Sequence, residues 1–159
     1  MVERVLGKDE VSGSIPLIGS RGLNLDKPSQ SAARLKLAEG LFTTVRLGPE
    51  ASEYETRNAL SRCYYAFFHV SHVLLGRYRG HGLISSEVGK KDDVLGEFIA
   101  TLQALRIEAD YIPDVVDTKF DGELGAYRLR AGQVVAEAKT EFARALKLAR
   151  RNLYRRRRA

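Results

Sequence analysis

The sequence predicts an all-α protein, an antiparallel up-and-down bundle of four to five helices. Apolar residues recur at three- and four-residue steps in several segments after residue 28, as on the buried faces of helices. Glycine and proline separate these segments by short connections, and no convincing set of strands is present. The length of 159 residues fits one domain. We therefore divide the chain into an N-terminal arm (1–28), a helical bundle (29–154) and a basic tail (155–159).

The arm has no sustained hydrophobic period, so it is predicted to be irregular. It contains two prolines and four glycines, which interrupt regular structure: Pro16, Pro28, Gly7, Gly13, Gly19 and Gly22. At most a short extended piece is expected, over 14–18. The sequence leaves open whether the arm is ordered, and whether it is native.

The first helix is predicted to begin at Pro28 and Ser29 and to end before Gly48 and Pro49. Its apolar face is formed by residues at helical spacing, namely Leu35, Ala38, Phe42 and Val45. The second helix is expected to start after Ser52, which stands three residues before Glu55 in the spacing of a capping box. It should run to about Gly76 without a helix breaker.

A third helical region is predicted between Ser86 and Tyr111, with a break near Gly96 or Phe98, and Pro113 closes it. The last helix is expected to start between 121 and 127 and to continue into the tail. Its apolar face has a period close to 3.6 and consists of Ala131, Val134, Val135, Ala138, Phe142, Leu146, Ala149 and Leu153.

The net charge of +6 is concentrated at the C-terminus. Residues 140–159 hold eight Lys or Arg against one acid, a net charge of +7, so the other 139 residues together carry −1. The body of the protein is thus nearly neutral. Electrostatic attraction of nucleic-acid phosphates is therefore expected only in the tail, at Arg150, Arg151, Arg155 and Arg156. Two other interpretations of the tail stay open: it serves only to keep the protein in solution, or it is the segment that an acidic partner protein wraps.

Several classes of protein are excluded by composition. A single cysteine, Cys63, allows neither an internal disulfide framework nor a cysteine-rich zinc site. No run of about 18 apolar residues could span a membrane, and no secretion signal opens the chain. We therefore expect a cytoplasmic protein without membrane contact. His69 and His72 share a helix face, but the spacing offers no third ligand, so no metal and no cofactor are predicted.

The second helix carries the most informative chemistry. Residues 60–75 are apolar nearly all round, which is typical of the centre of a bundle, and Tyr64, Phe67 and Phe68 are expected in the core. Yet Arg62 also lies in this segment. A buried arginine without a partner costs several kcal/mol, so a partner, a cleft or an interface is expected around it.

Spacing places the polar residues of this helix on one stripe. At about 100° per residue, positions seven apart return to within about 20° of each other, roughly 10 Å along the axis. Arg62 and His69 therefore share a face. The whole stripe, hereafter the polar stripe, consists of Asn58, Arg62, Tyr65, His69 and His72.

The segment 59–69, ALSRCYYAFFH, resembles the signature helix of prokaryotic HEPN domains, in which an arginine is followed by a histidine. Downstream, the segment 106–111, RIEADY, is similar to an Arg…Ala-Asp-Tyr element in a branch of that family often encoded with a minimal nucleotidyltransferase. The resemblance covers roughly residues 30–150.

This resemblance implies a HEPN-like helical bundle that dimerises so that two Arg/His pairs face one shared cleft. Many family members are metal-independent endoribonucleases, often toxins of toxin–antitoxin pairs, and a nucleotidyltransferase antitoxin is the implied partner. Carried over, His69 is the general acid/base and Arg62 holds the phosphate, roles that suit both side chains. Supporting or substrate-binding roles fall to the rest of the polar stripe and to its neighbours, namely Asn58, Tyr65, His72, Asp110 and Tyr111.

Two positions depart from the family pattern. Cys63 stands where active members often have a small polar residue, and Ser71 stands where some relatives have a tyrosine that the antitoxin modifies. The alternative function is therefore a non-catalytic nucleotide- or RNA-binding adaptor that acts with a nucleotidyltransferase. A third possibility is a purely structural helical dimer, in which Arg62 would pair with an acid. For Arg106 and Asp110, one interpretation is a helix-surface ion pair. The other is that Asp110 and Tyr111 line the face of Arg62 and His69 and orient its side chains, and we favour a supporting structural role.

Overall fold

The computed structural model describes residues 28–111 and 121–158, so the predicted arm lies almost entirely outside the described residues. Five helices follow one another in this part of the chain: α1 Pro28–Thr43, α2 Glu53–Leu75, α3 His81–Gly89, α4 Asp93–Tyr111 and α5 Asp121–Arg158. The described residues contain no strand. The predicted all-α fold class is thus confirmed.

Helix α2 is the centre of the bundle, and the other four helices all pack on it. The side chain of Phe67 shows how: its ring centroid lies 6.3 Å from that of Phe42 on α1, 5.2 Å from that of Phe98 on α4 and 5.3 Å from that of Phe142 on α5. Tyr64 and Phe67 are fully buried and Phe68 is 5% exposed, as the sequence predicted. Aromatic rings at one level of the bundle therefore fix the position of α2 between its neighbours.

Both ends of α2 are set by local sequence. The Ser52 hydroxyl accepts a hydrogen bond from the backbone N–H of Glu55, and the Glu55 carboxylate accepts one from the backbone N–H of Ser52 at 2.8 Å. This is the predicted capping box. At the other end Gly76 adopts φ 71°, a left-handed conformation that favours glycine and ends the helix.

The break in the third helical region falls at residues 90–92, and the prediction of a break near Gly96 or Phe98 was wrong. Asp92 immediately precedes α4 and caps its first turn, since its carboxylate accepts a hydrogen bond from the backbone N–H of Leu95 at 3.1 Å. Gly96 instead lets α3 and α4 approach closely: a Cβ added there would lie 2.5 Å from the Cα of Gly89. The glycine serves helix packing, a long-range effect that local sequence does not reveal.

Helix α1 also ends earlier than predicted, at Thr43, several residues before Gly48. The hydroxyls of Thr43 and Thr44 bond the carbonyls of Gly40 and Leu41, at 2.8 and 2.6 Å, and so satisfy carbonyls of the last turn.

Helix α5 continues through the basic residues 155–158 and covers the C-terminal end of α2. The side-chain amide of Asn152 donates to the carbonyl of Leu74 at 2.5 Å, and the guanidinium of Arg156 donates to that of Leu75 at 3.3 Å. Two carbonyls that lack partners within α2 are thereby satisfied. Within the described residues, no helix combines the length and the apolar character that a membrane span requires.

Candidate functional site

The polar stripe of α2 passes from the surface into the interior. Asn58, Tyr65 and His69 are half-buried, and His72 is fully buried. The change occurs because α1 and the loop after α2 cover the C-terminal half of the helix, where Arg34 and Arg79 contact the histidines. The stripe is therefore open to solvent at Arg62 and closed at His72, and the half-buried His69 lies between these two positions.

Arg62 is solvent-exposed in the single chain, so no neighbouring helix buries it, and the cleft or interface expected around it stays a prediction. It forms no hydrogen bond and no ion pair with any part of the chain that the structure describes. None of the described residues covers this face of the N-terminal half of α2, so the guanidinium is hydrated there. An acidic partner, which a purely structural role predicted, is not found among the described residues.

His72 is held by two polar contacts inside the bundle. Its Nδ1 lies 3.3 Å from Nη1 of Arg34, and its Nε2 lies 2.9 Å from the carbonyl oxygen of Arg79. The ring also stacks on Tyr78 at a centroid distance of 4.7 Å. Burial lowers the pKa of His72 to about 4, against the favourable effect of the Arg79 carbonyl. His72 is thus a neutral structural residue at neutral pH.

His69 shares the same arginine but keeps one nitrogen free. Its Nδ1 lies 3.4 Å from Nη1 of Arg34, while its Nε2 has no hydrogen-bond partner within 28–111 or 121–158. Burial, the charge of Arg34 and that of His81 lower the pKa of His69 to about 4. The imidazole is therefore neutral at neutral pH.

The contact with Arg34 also fixes the tautomer of His69. A guanidinium only donates hydrogen bonds, so Nδ1 must accept, and the single proton of the neutral ring resides on Nε2. In this arrangement Nε2 of His69 is a hydrogen-bond donor that a neighbouring acceptor, such as a ligand oxygen, can use.

His81, at the start of α3, completes a group of rings beside the stripe. Its Nδ1 lies 2.8 Å from the hydroxyl of Tyr64, and its ring stacks on Phe68 with centroids 4.1 Å apart. Burial is the main cause that lowers the pKa of His81, and the charge of Arg106 adds to it. The ring is thus packed, with its position set by two aromatic residues of α2.

Arg106 of α4 is the buried arginine of this region, with 8% of its surface exposed. Its Nη2 donates to the hydroxyls of Tyr65 and Tyr111, at 2.6 and 3.0 Å, and its Nε lies 2.7 Å from a carboxylate oxygen of Asp110. These residues include the Arg…Ala-Asp-Tyr element and one member of the polar stripe. Asp110 and Tyr111 therefore connect to the stripe through Arg106, and through Tyr65 they position it.

The surroundings of His69 are cationic. Asp110 is paired with Arg106, and Glu87 is paired with Arg77. Among the described residues, no carboxylate contacts Arg34, His69 or His72. A site with donors and few acids is suited to an anion such as phosphate.

The described residues include potential metal ligands and a single thiol. In the part of the chain that the structure describes, no three His, Cys, Asp or Glu residues stand together as they would around a metal ion. Cys63 is fully buried, and burial raises the pKa of its thiol to about 12. It is a small packed side chain and not a nucleophile.

The predicted nucleic-acid tail divides into two sets of side chains. Arg150 pairs with Glu39 of α1, and Arg156 donates to the Leu75 carbonyl. Arg151 and Arg155 are exposed and form no hydrogen bond or ion pair with the described residues. The structure thus brings only part of the tail into the fold, and leaves the rest to solvent.

Sequence reasoning missed Arg34 and His81. Arg34 had a detectable signal, because it lies at helical spacing from Ser31 and Ala38 on the buried face of α1. His81 had none, since it follows a loop and reaches Tyr64 and Phe68 only through the tertiary fold.

No protein-family model matches this chain. No curated protein and no solved structure matches it either. The function proposed below therefore draws on the side chains of α2 and its neighbours.

Proposed function

We propose that this protein is a metal-independent endoribonuclease of the HEPN type, the toxin subunit of a toxin–antitoxin pair, with Arg62 and His69 at its active site. One observation carries the proposal. The half-buried imidazole of His69 is held through one nitrogen by Arg34, and Arg62 lies on the same stripe of α2. Neither the other nitrogen of His69 nor the guanidinium of Arg62 has a hydrogen-bond partner among the described residues. The resemblance of α2 to the HEPN signature helix supports the same residues.

The reaction needs a base, an acid and a cation. The ribose 2′-oxygen attacks the adjacent phosphorus, the bond from phosphorus to the 5′-oxygen breaks, and a 2′,3′-cyclic phosphate and a 5′-hydroxyl result. His69 takes the proton from the 2′-hydroxyl and returns it to the 5′-oxygen. Arg62 binds the phosphate and stabilises the charge that develops on it.

Arg34 must move for His69 to act as a base, because Nε2 carries the proton while Nδ1 accepts from Arg34. A phosphate next to the site attracts the guanidinium more strongly than a neutral imidazole does. Once Arg34 turns to the phosphate, the ring can hold its proton on Nδ1 and accept another on Nε2. The negative charge of the phosphate also raises the pKa of His69.

A homodimer is part of the proposal. Arg62 and His69 are seven positions apart on the helix, a rise of roughly 10 Å along the axis, so the two side chains lie far apart on one protomer. If the polar stripes of two copies face each other in opposite directions, Arg62 of one protomer lies opposite the partner's His69. RNA and a nucleotidyltransferase antitoxin would meet such a dimer in the cytoplasm.

A second candidate is a non-catalytic nucleotide- or RNA-binding adaptor that acts with a nucleotidyltransferase. The low pKa of His69 and its contact with Arg34 favour it, because both keep the imidazole neutral and unable to take up a proton at Nδ1. In this case His69 and Arg34 only donate hydrogen bonds to phosphate.

The test is cleavage of a mixed RNA pool in the presence of EDTA by the wild type, Arg62→Ala and His69→Ala. Arg46→Ala, which changes an exposed arginine outside the stripe, is the matched control. The nuclease proposal expects cleavage by the wild type and the control, at least 100-fold loss in both site variants, and dimers of unchanged size by light scattering. Cleavage that survives His69→Ala contradicts the mechanism. An inactive wild type that binds RNA through Arg62 supports the adaptor.

A further inference from the structure

The C-terminal turns of α5 present two different faces. The inner face contacts the rest of the fold, since Asn152 and Arg156 bond the end of α2. Arg150, at the border between the two faces, pairs with Glu39. The outer face carries Arg151, Tyr154, Arg155 and Arg158, at positions i, i+3, i+4 and i+7 of the helix. We call these four residues the arginine face.

The arginine face combines charge with one exposed aromatic ring. Tyr154 is 55% exposed, and the guanidinium of Arg158 lies 4.6 Å from the centre of its ring. Arg150, Arg151, Tyr154 and Arg155 line a shallow depression on this surface. No described acidic residue pairs with Arg151, Arg155 or Arg158. Three cations without an acidic partner among the described residues, beside a partly exposed ring that Arg158 approaches from one side, are suited to a ligand with negative charge and a flat apolar surface.

The arginine face also lies at the same end of the bundle as the buried histidines. Asn152 and Arg156 contact residues 74 and 75, just beyond His72, and Arg150 contacts Glu39, little more than one turn of α1 beyond Arg34. A chain-like ligand could therefore extend from the polar stripe towards α5.

We propose that the arginine face binds single-stranded RNA, with Arg151, Arg155 and Arg158 on successive phosphates and Tyr154 stacked on a base. Guanidinium groups attract phosphate whatever the sequence, and stacking on an aromatic ring tolerates any base. The inference deepens the proposed function, because it places the RNA flanking the cleaved bond on α5. Duplex DNA offers phosphates but no free base, so it does not use Tyr154.

The first experiment measures binding of a fluorescent 2′-O-methyl RNA strand by anisotropy, which separates binding from cleavage because this RNA has no free 2′-hydroxyl. The variant Arg151→Gln/Arg155→Gln/Arg158→Gln is compared with Lys36→Gln/Lys91→Gln/Lys139→Gln, which removes three exposed charges elsewhere. We expect at least tenfold weaker binding for the arginine variant, and a dependence of log K on log salt that is shallower by about 2, since each phosphate contact contributes roughly 0.7. The lysine variant should bind within about threefold of the wild type.

The second experiment tests stacking. Tyr154→Ala should weaken binding of the RNA strand by about fivefold or more, whereas Tyr54→Ala, at another exposed tyrosine, should leave it unchanged. Equal losses in the arginine and lysine variants, or no loss in Tyr154→Ala, overturn the proposal. If the wild type binds RNA through this face but cleaves none, the nuclease function fails while the arginine face stands.

Discussion

Nη1 of Arg34 lies 3.3 Å from Nδ1 of His72, so an arginine of α1 donates a hydrogen bond to a histidine in the core of the bundle. Because a guanidinium has no acceptor, this contact exists only while the imidazole is neutral. The same Nη1 lies 3.4 Å from Nδ1 of His69. One side chain thus connects two helices, and its charge adds to the burial that lowers the pKa of both histidines.

The first prediction concerns this arginine. In Arg34→Met the pKa of His69 should rise above about 4, because the charge of Arg34 is the second cause of its depression. It should stay below the ordinary value of about 6.5, since burial is the larger cause. Titration of the imidazole C–H signals by NMR measures this change. Lys36→Met removes an exposed charge from α1 and is the control. An unchanged pKa in Arg34→Met would mean that the contact does not exist in solution.

The second prediction is that the protein loses stability as the pH falls from about 6.5 to 4. Burial depresses the folded-state pKa of His72 to about 4, whereas the unfolded chain keeps about 6.5. Between these two pH values His72 is protonated in the unfolded chain but not in the folded protein. The stabilisation that is present above pH 6.5 therefore disappears towards pH 4. His72 alone should account for roughly 2–3 kcal/mol of this loss.

His72→Gln separates this effect from the titration of carboxylates. Glutamine can accept from Arg34 and donate to the Arg79 carbonyl but does not titrate. Urea unfolding at several pH values should show a shallower slope between pH 6.5 and 4.5 in the variant. Parallel curves for the two proteins would exclude His72 as a cause.

The third prediction concerns Arg106, which joins Tyr65, Asp110 and Tyr111 at the edge of the core. Arg106→Met should lower the free energy of unfolding by about 2–3 kcal/mol, because two tyrosine hydroxyls and a carboxylate lose their partner. Arg150→Met breaks a surface ion pair and should cost less than about 1 kcal/mol. Urea denaturation of both variants checks the difference. If the two variants lost similar amounts of unfolding free energy, Arg106 would contribute no more to stability than a residue in a surface ion pair does.

The fourth prediction compares two helical glycines. Gly96→Ala should destabilise the protein by about 1–3 kcal/mol, because the new methyl group would lie 2.5 Å from the Cα of Gly89 and push α3 away from α4. Gly132→Ala, on α5, meets no atom within 4 Å and should stabilise by about 0.5–1 kcal/mol. Thermal unfolding measures both. A neutral Gly96→Ala would show that α3 can shift without cost.

Local patterns predicted the helices well and their partners poorly. The capping box at Ser52, the glycine at 76 and the apolar character of α2 depend on neighbouring residues, so the sequence predicted both ends of this helix and its central place. The break between α3 and α4 was misplaced, because Gly96 was interpreted as a helix breaker when its function is contact with Gly89.

The sequence by itself determined the all-helical fold, the caps of α2 and the composition of the polar stripe, because periodicity and capping act over three to seven residues. Only the tertiary structure decided which parts of the stripe are covered. Arg62 lies on an open face, whereas His69 and His72 meet Arg34 from a helix 35 and 38 residues away. Their protonation depends on burial and on that distant charge. The physical reason is that burial and electrostatics act through space, and distance along the chain does not measure them.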